Sequence, residues 1–196
     1  MTLIDPPSGV NVNFAHDTDV ALQTAAALVN TAVLSPSRGE GDTLSTTAEL
    51  RDFYVQWRWT GRLDGDEAEL EQVRQLRTTL HGLWLSADDE RAVVERVNDL
   101  LRTGRALPQL VDHDDFGWHI HASDADAPFA RRVQVEAAMA FVDVIRAEEL
   151  SRLRVCAAED CQDVLVDLSR NRSKRYCEGG CGNRIAAAAY RSRRSG

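Results

Sequence analysis

Apolar residues recur every three or four positions over most of the first 150 residues of this chain, and that period predicts helices. The clearest stripe is Leu70, Val73, Leu76, Leu80 and Leu83, in a segment starting near Asp66 after a break at Gly61 to Gly65. A second stripe, Val93, Val94, Val97, Leu100 and Leu101, opens at Ser86-Ala-Asp-Asp89 and places Gly104 where a left-handed C-cap would sit. Upstream, Val20, Ala21, Leu28 and Val29 predict a helix from about Asp17 to Leu34, capped by Asp17 or Thr18. Thr46-Thr-Ala-Glu49 has the form of a capping box ahead of Phe53, Tyr54, Trp57 and Trp59, which predicts another. Ser123 to Pro128 opens a largely buried helix that carries Val133, Val135, Ala137, Met139, Ala140, Val142 and Ile145 toward Leu150. Ser35 to Ser45 has almost no apolar content and predicts a loop. Between Pro108 and Ala122 the period changes: Leu110-Val111, polar Asp112 to Asp115, then Gly117-Trp-His-Ile-His-Ala predict a short hairpin. The expected fold class is α-rich, mainly α with a small β-hairpin.

Composition narrows the class. The 196 residues are 43% hydrophobic and 28% charged, which fits one soluble domain or a modest domain with a small appendix and excludes disorder throughout. No run approaches the ~20 apolar residues of a membrane span, and Met1-Thr-Leu-Ile-Asp-Pro-Pro-Ser has neither region of a secretory signal, so no membrane and a cytoplasmic location are expected. Charge is unevenly placed. Residues 1–167 hold 15 Lys/Arg against 30 Asp/Glu, whereas 168–196 hold 8 against Glu178 alone. An acidic body with a basic tail suggests a polyanionic partner, although a solubilising tail would look similar.

All four cysteines fall in the last 41 residues: Cys156 and Cys161 with four residues between them, then Cys177 and Cys181 with three. Two close pairs let two chain reversals bring four thiolates to the corners of a tetrahedron, the arrangement Zn²⁺ takes in closed structural sites. Two disulfides or four unrelated thiols are the alternative, and a cytosolic chain rarely keeps disulfides. A tail of this size holds little core beyond Val164, Leu165, Val166, Leu168 and Tyr176, so structural zinc would supply its folding free energy. The expected division is therefore a helical domain over 1–150 and a small four-cysteine zinc-finger domain over 151–196.

Between the cysteine pairs, Arg170, Arg172, Lys174 and Arg175 alternate with Ser169, Asn171 and Ser173, offering donors for phosphate oxygens. Gly182-Asn183-Arg184 leads into a final helix through Ala186 to Ala189, on which Arg184, Arg191 and Arg194 share one face. These residues make a nucleic-acid surface, or a solvated basic face that docks on protein.

The Cys156/Cys161 pair, the apolar Val164 to Leu168, Ser169-Arg-Asn-Arg-Ser, Tyr176 before Cys177, Cys181-Gly-Asn-Arg184 and Tyr190-Arg-Ser-Arg193 together resemble the CGNR zinc finger over about 154–194. Leu28-Val-Asn-Thr31 and Leu153-Arg154 resemble the helical ABATE domain that accompanies that finger. The chain departs from a common form of the motif in having three residues, Glu178-Gly-Gly180, between its last two cysteines, which alters the knuckle loop and leaves the ligand set. The resemblance implies a stress-induced transcription regulator that binds DNA through the finger.

Three further constellations compete. His113, His119 and His121 with Asp112, Asp114 and Asp115 surround the hairpin and suggest a second metal site or an acid/base pair, or simply a polar turn beside Trp118. His16-Asp17 could be catalytic or a helix cap. Trp57, Trp59, Trp84 and Trp118 with Phe53 and Tyr54 could line a small-molecule pocket or fill the core. No phosphate-cradling glycine loop, nucleophile elbow or His-Glu-x-x-His is present, so no enzyme activity is expected. The leading expectation is a DNA-binding regulator, with a possible homodimer or ligand site in the N-terminal domain. The alternative is a zinc-stapled protein-interaction module that does not touch DNA.

Overall fold

A computed structural model describes residues 14–34, 41–112 and 118–195. Five helices build the body: α1 (His16–Asn30), α2 (Thr47–Gln56), α3 (Glu67–Leu85), α4 (Glu90–Gly104) and α5 (Phe129–Arg146). An antiparallel hairpin of β1 (Gln109–Asp112) and β2 (Trp118–His121) separates α4 from α5 and pairs Leu110 with Ile120. After α5 come a 3-10 turn at Leu150–Arg152, a second antiparallel hairpin of β3 (Leu153–Val155) and β4 (Val164–Val166), and a last helix, α6 (Cys181–Ser195). The chain is α-rich with a small hairpin between α4 and α5, as its periodicity predicts, and the β3/β4 hairpin is an addition that the periodicity does not signal.

Local chemistry sets most of the boundaries. Thr46 and Glu49 form the reciprocal capping box at α2. Asp66 and Asp89 cap α3 and α4 by accepting from Glu69 N–H and Ala92 N–H. The α1 start differs from expectation: neither Asp17 nor Thr18 caps it, because Thr18 Oγ1 donates to Asp143 at 2.6 Å and Asp17 accepts only the adjacent Thr18 N–H. That helix also ends at Asn30, short of Leu34, where Thr31 N–H and Ala32 N–H turn back to the Leu28 and Val29 carbonyls. α2 stops before its tryptophans, since Arg58 takes a left-handed φ of 53° and throws Trp57 and Trp59 out of the helix. The C-cap of α4 lies one residue later than expected, at Arg105 with φ 55°. Gly104 stays helical because α5 packs so close that a Cβ there would lie 2.5 Å from Val135 Cγ2.

The core forms where α5 meets α1, α3 and α4. Phe129, Phe141, Leu22, Leu28, Leu80 and Leu83 are sealed from solvent, and Trp84 stacks edge-on against Phe141 with centroids 5.0 Å apart. Leu153, Val164 and Val166 of the second hairpin are buried in this same core. Polar side chains hold the hairpin there. Asn30 donates to the Val164 carbonyl and accepts from its N–H, both at 2.8 Å. Trp84 Nε1 donates to the Leu165 carbonyl at 3.0 Å, and Gln162 N–H donates to the Leu34 carbonyl at 2.8 Å. Among the described residues, no helix is long and apolar enough to cross a membrane.

Candidate metal centre and basic helix

Both cysteine pairs sit on turns that backbone hydrogen bonds define. Cys156 follows β3, and its N–H donates to the Asp163 carbonyl at 2.8 Å, closing the loop that carries Cys161. Ala157 N–H donates to the Arg175 carbonyl at 2.8 Å and ties that loop to the segment ahead of Cys177. Gly180 adopts φ 84° between Cys177 and Cys181, a left-handed conformation that glycine takes without strain. Gly182, in the first turn of α6, leaves room for the Tyr176 ring, which would lie 3.2 Å from a Cβ there.

All four sulfurs are buried and lie within 4.8 Å of one another. The Cys161–Cys177 and Cys177–Cys181 Sγ separations are 3.8 and 3.6 Å. A tetrahedron with Zn–S bonds of ~2.3 Å has edges of ~3.8 Å, so these spacings fit a zinc ion, whereas a disulfide would need ~2.05 Å. The all-thiolate donor set suits soft or borderline cations and leaves no coordination position open. Charge points the same way. Burial pushes the Cys177 thiol up and Asp163 pushes it further. Burial acts on Cys181 too, but the Arg184 guanidinium and the other three cysteines hold it below its ordinary value. A divalent cation is what allows four buried thiolates to coexist.

Arg184 is seated at this centre. Its Nη2 donates to Asp160 at 2.6 Å and lies 3.8 Å from Cys181 Sγ, so one guanidinium joins the two cysteine-bearing loops. Two other cations of the basic set are also ion-paired: Arg172 with the buried Glu149 at 2.8 Å, and Lys174 with Glu178 at 3.1 Å. Glu149 in turn holds Arg152 at 2.9 Å. Arg170, Arg175 and Asn183 are exposed, as are Arg191 and Arg194 on α6. From Asn183 to Arg194 every residue of α6 is exposed except the half-buried Ile185, and Arg194 lies over the Tyr190 ring at 5.8 Å.

The rival constellations resolve differently. His119 and His121 share a face of β2, with Nε2 atoms 3.1 Å apart, but among the described residues the cysteines are the one group of three or more metal-ligating side chains in mutual reach. His113, Asp114 and Asp115 lie outside the described residues, and Asp112 pairs with Trp118 across the hairpin. The six aromatics do not form one pocket: Phe53 and Trp84 are core, Trp118 is exposed, Tyr54 packs edge-on against Phe129, and Trp57 and Trp59 line a cavity that also takes in His16 and Asp17. Sequence reasoning did not single out Asn30, Trp84 or Arg184 for the contacts they make here. Leu28-Val-Asn-Thr31 held the only signal, an asparagine at the end of an apolar stripe.

Comparison with known families agrees with this geometry. Residues 152–194 match the CGNR zinc finger. Residues 22–148 match ABATE, described as a putative stress-induced transcription regulator. Among curated proteins no sequence matches the chain. With the ABATE match covering more than half its length and the four-cysteine cluster inside the second match, the chain belongs to the ABATE family and carries a C-terminal CGNR zinc finger.

Proposed function

We propose that this chain is a non-enzymatic transcription regulator that grips DNA through the finger, with structural zinc at Cys156, Cys161, Cys177 and Cys181. The observation that carries the reading is α6: a 15-residue helix rooted at a metal ligand and exposed along nearly its whole length. A helix of that length is marginal in water, and most protein helices owe their stability to a packed face. This one has a fixed first turn, small alanines at 186–189 and cations at Arg191, Arg193 and Arg194, which suits a polyanionic groove. Arg170 and Arg175 extend the basic surface, and Lys174 joins it by exchanging an exposed contact with Glu178 that is worth little in water, while Arg172 stays tied to the buried Glu149. Asn183 stands at the base of the helix, and Arg184 serves the metal centre.

Four to six phosphate contacts from this set give log K against log salt a slope of about −4 to −5. Replacing Arg191 and Arg194 together by alanine flattens the slope by about 2 and leaves zinc content unchanged. Undiminished, equally salt-sensitive binding by that variant refutes the assignment. The pairing of Arg172, Lys174 and Arg184 with this chain's own carboxylates favours a second reading, a zinc-stapled protein-interaction module. Under that reading the zinc-loaded chain fails to bind random duplex even at low salt.

A further inference from the structure

A cavity of about 410 Å³ opens between the first half of α1, the residues that follow α2, β2 and α5. Asp17 and Ala21 lie on one wall and Trp57 and Trp59 on another, His119 and Glu136 face them, and the basic side chains of His16, Arg58 and Arg132 also reach the lining. A smaller recess of about 90 Å³ shares Asp17, Ala21, His119, His121 and Glu136 with it and reaches Met139 and Asp143.

The charged groups facing this space are unequally committed. Arg132 lies over Trp59 at 5.7 Å and donates to the Ala127, Thr60 and Arg62 carbonyls, so its guanidinium is spent on backbone. Asp143 accepts from Thr18 Oγ1, and His119 and His121 bond one another. Asp17 accepts the Thr18 N–H. Half-buried Glu136 alone of these carboxylates accepts no hydrogen bond and makes no ion pair among the described residues; burial pushes its carboxyl up to about 7, with the Arg132 charge opposing the shift and the Asp17 charge adding to it. Burying a carboxylate without a hydrogen-bond partner is costly, and proteins normally supply one. Here two carboxylates and two indoles converge on a space large enough for a small organic molecule. Indole faces attract cations, and an ammonium or amidinium donates the hydrogen bonds that Glu136 lacks.

We propose that the cavity between α1, α5 and β2 binds a small organic cation, an ammonium or amidinium group on an apolar or aromatic body. The charged head sits at Glu136 with Asp17 beside it, and the body lies against Trp57, Trp59 and Ala21. This site is independent of whether the finger takes DNA.

The test is calorimetric titration of the full zinc-loaded chain with 2-phenylethylammonium and benzamidinium, and with 2-phenylethanol and phenylacetate as the matched neutral and anionic probes. The cations are expected to bind about tenfold or more tightly than the neutral probe, since a hydrogen bond to a charged group is worth that factor. Glu136→Gln should erase this preference while keeping the body's helical circular dichroism. Ala21→Leu fills the cavity without touching either carboxylate and should abolish binding of every probe. No binding by the folded wild-type chain, a preference for phenylacetate drawn by Arg58 and the imidazoles, or cation selectivity that survives Glu136→Gln each overturns the proposal.

Discussion

Replacing Asn30 by alanine removes both hydrogen bonds that secure Val164 to the end of α1. Val164 is 2% exposed, so water cannot easily replace the lost partner. Its N–H and carbonyl point away from β3: the hairpin bonds that flank it run through Cys156 N–H to the Asp163 carbonyl and Asp167 N–H to the Arg152 carbonyl. The Asn30 amide presents one N–H and its oxygen to Val164, as a peptide does, and so acts as a one-residue third strand on the open edge of β4. Each buried backbone group left unsatisfied costs about 1–3 kcal/mol, which puts the loss for Asn30→Ala, with two such groups, at about 2–6 kcal/mol. Denaturant unfolding of wild type and variant at one fixed zinc concentration measures that loss. Amide hydrogen exchange at Val164 localises it, with protection falling more than at core amides of α3 such as Val73 or Leu80. Asn30→Asp keeps the acceptor and loses the donor, and should fall between the two. A loss under ~0.5 kcal/mol with unchanged exchange at Val164 would refute the reasoning and show that the hairpin is held by its apolar contacts alone.

Cys177→Ser is expected to cost the chain its zinc, read by metal analysis of the purified protein, while helical circular dichroism from the body persists; full zinc content would contradict the tetrahedral assignment. Gly104→Ala sets a helix-propensity gain of ~1 kcal/mol against a Cβ forced to 2.5 Å from Val135 Cγ2, and overpacking of about 1–3 kcal/mol makes the net effect destabilising. The double variant Gly104→Ala/Val135→Ala should relieve that clash, and thermal melts of the two variants compare them. Glu136 binds its proton more tightly in the folded chain, near 7, than at its ordinary 4.5, so it lowers stability as pH rises through that window, by at most about 3 kcal/mol. Glu136→Gln removes that part of the slope, and unfolding free energies at pH 5 and pH 8 that differ equally in both proteins would refute the assignment to Glu136.

What the sequence reveals here is what depends on near neighbours. The capping box at Thr46 and Glu49, the stripe from Leu70 to Leu83 and the two cysteine pairs each rest on spacings of a few residues, and all are recognisable in the linear order of residues. Gly104 shows where local reading stops: a glycine at a helix end looks like a C-cap, but its reason lies in Val135 on another helix, and the left-handed turn passes to Arg105. Arg184 looks like a phosphate ligand from its helical phase, and only folding brings Asp160 to it, 24 residues back in the chain. β3 and β4 have three residues each, too few for alternation to register, and Asn30 meets β4 across 134 residues. The cavity, built from four separate segments, has no linear signature.

Leu153, Val164 and Val166 belong to the helical core, yet the loop between their strands carries Cys156 and Cys161. The metal centre and the body therefore draw on one cooperative unit of structure, and their free energies are linked in both directions. An ion that binds only the folded chain raises the melting point of helices it never touches. Conversely, anything that loosens α1 or α3 weakens the ion's hold by the same factor. Zinc supply in the surroundings would thus set the margin by which the body stays folded, which makes the finger a thermodynamic gauge of metal for the whole chain.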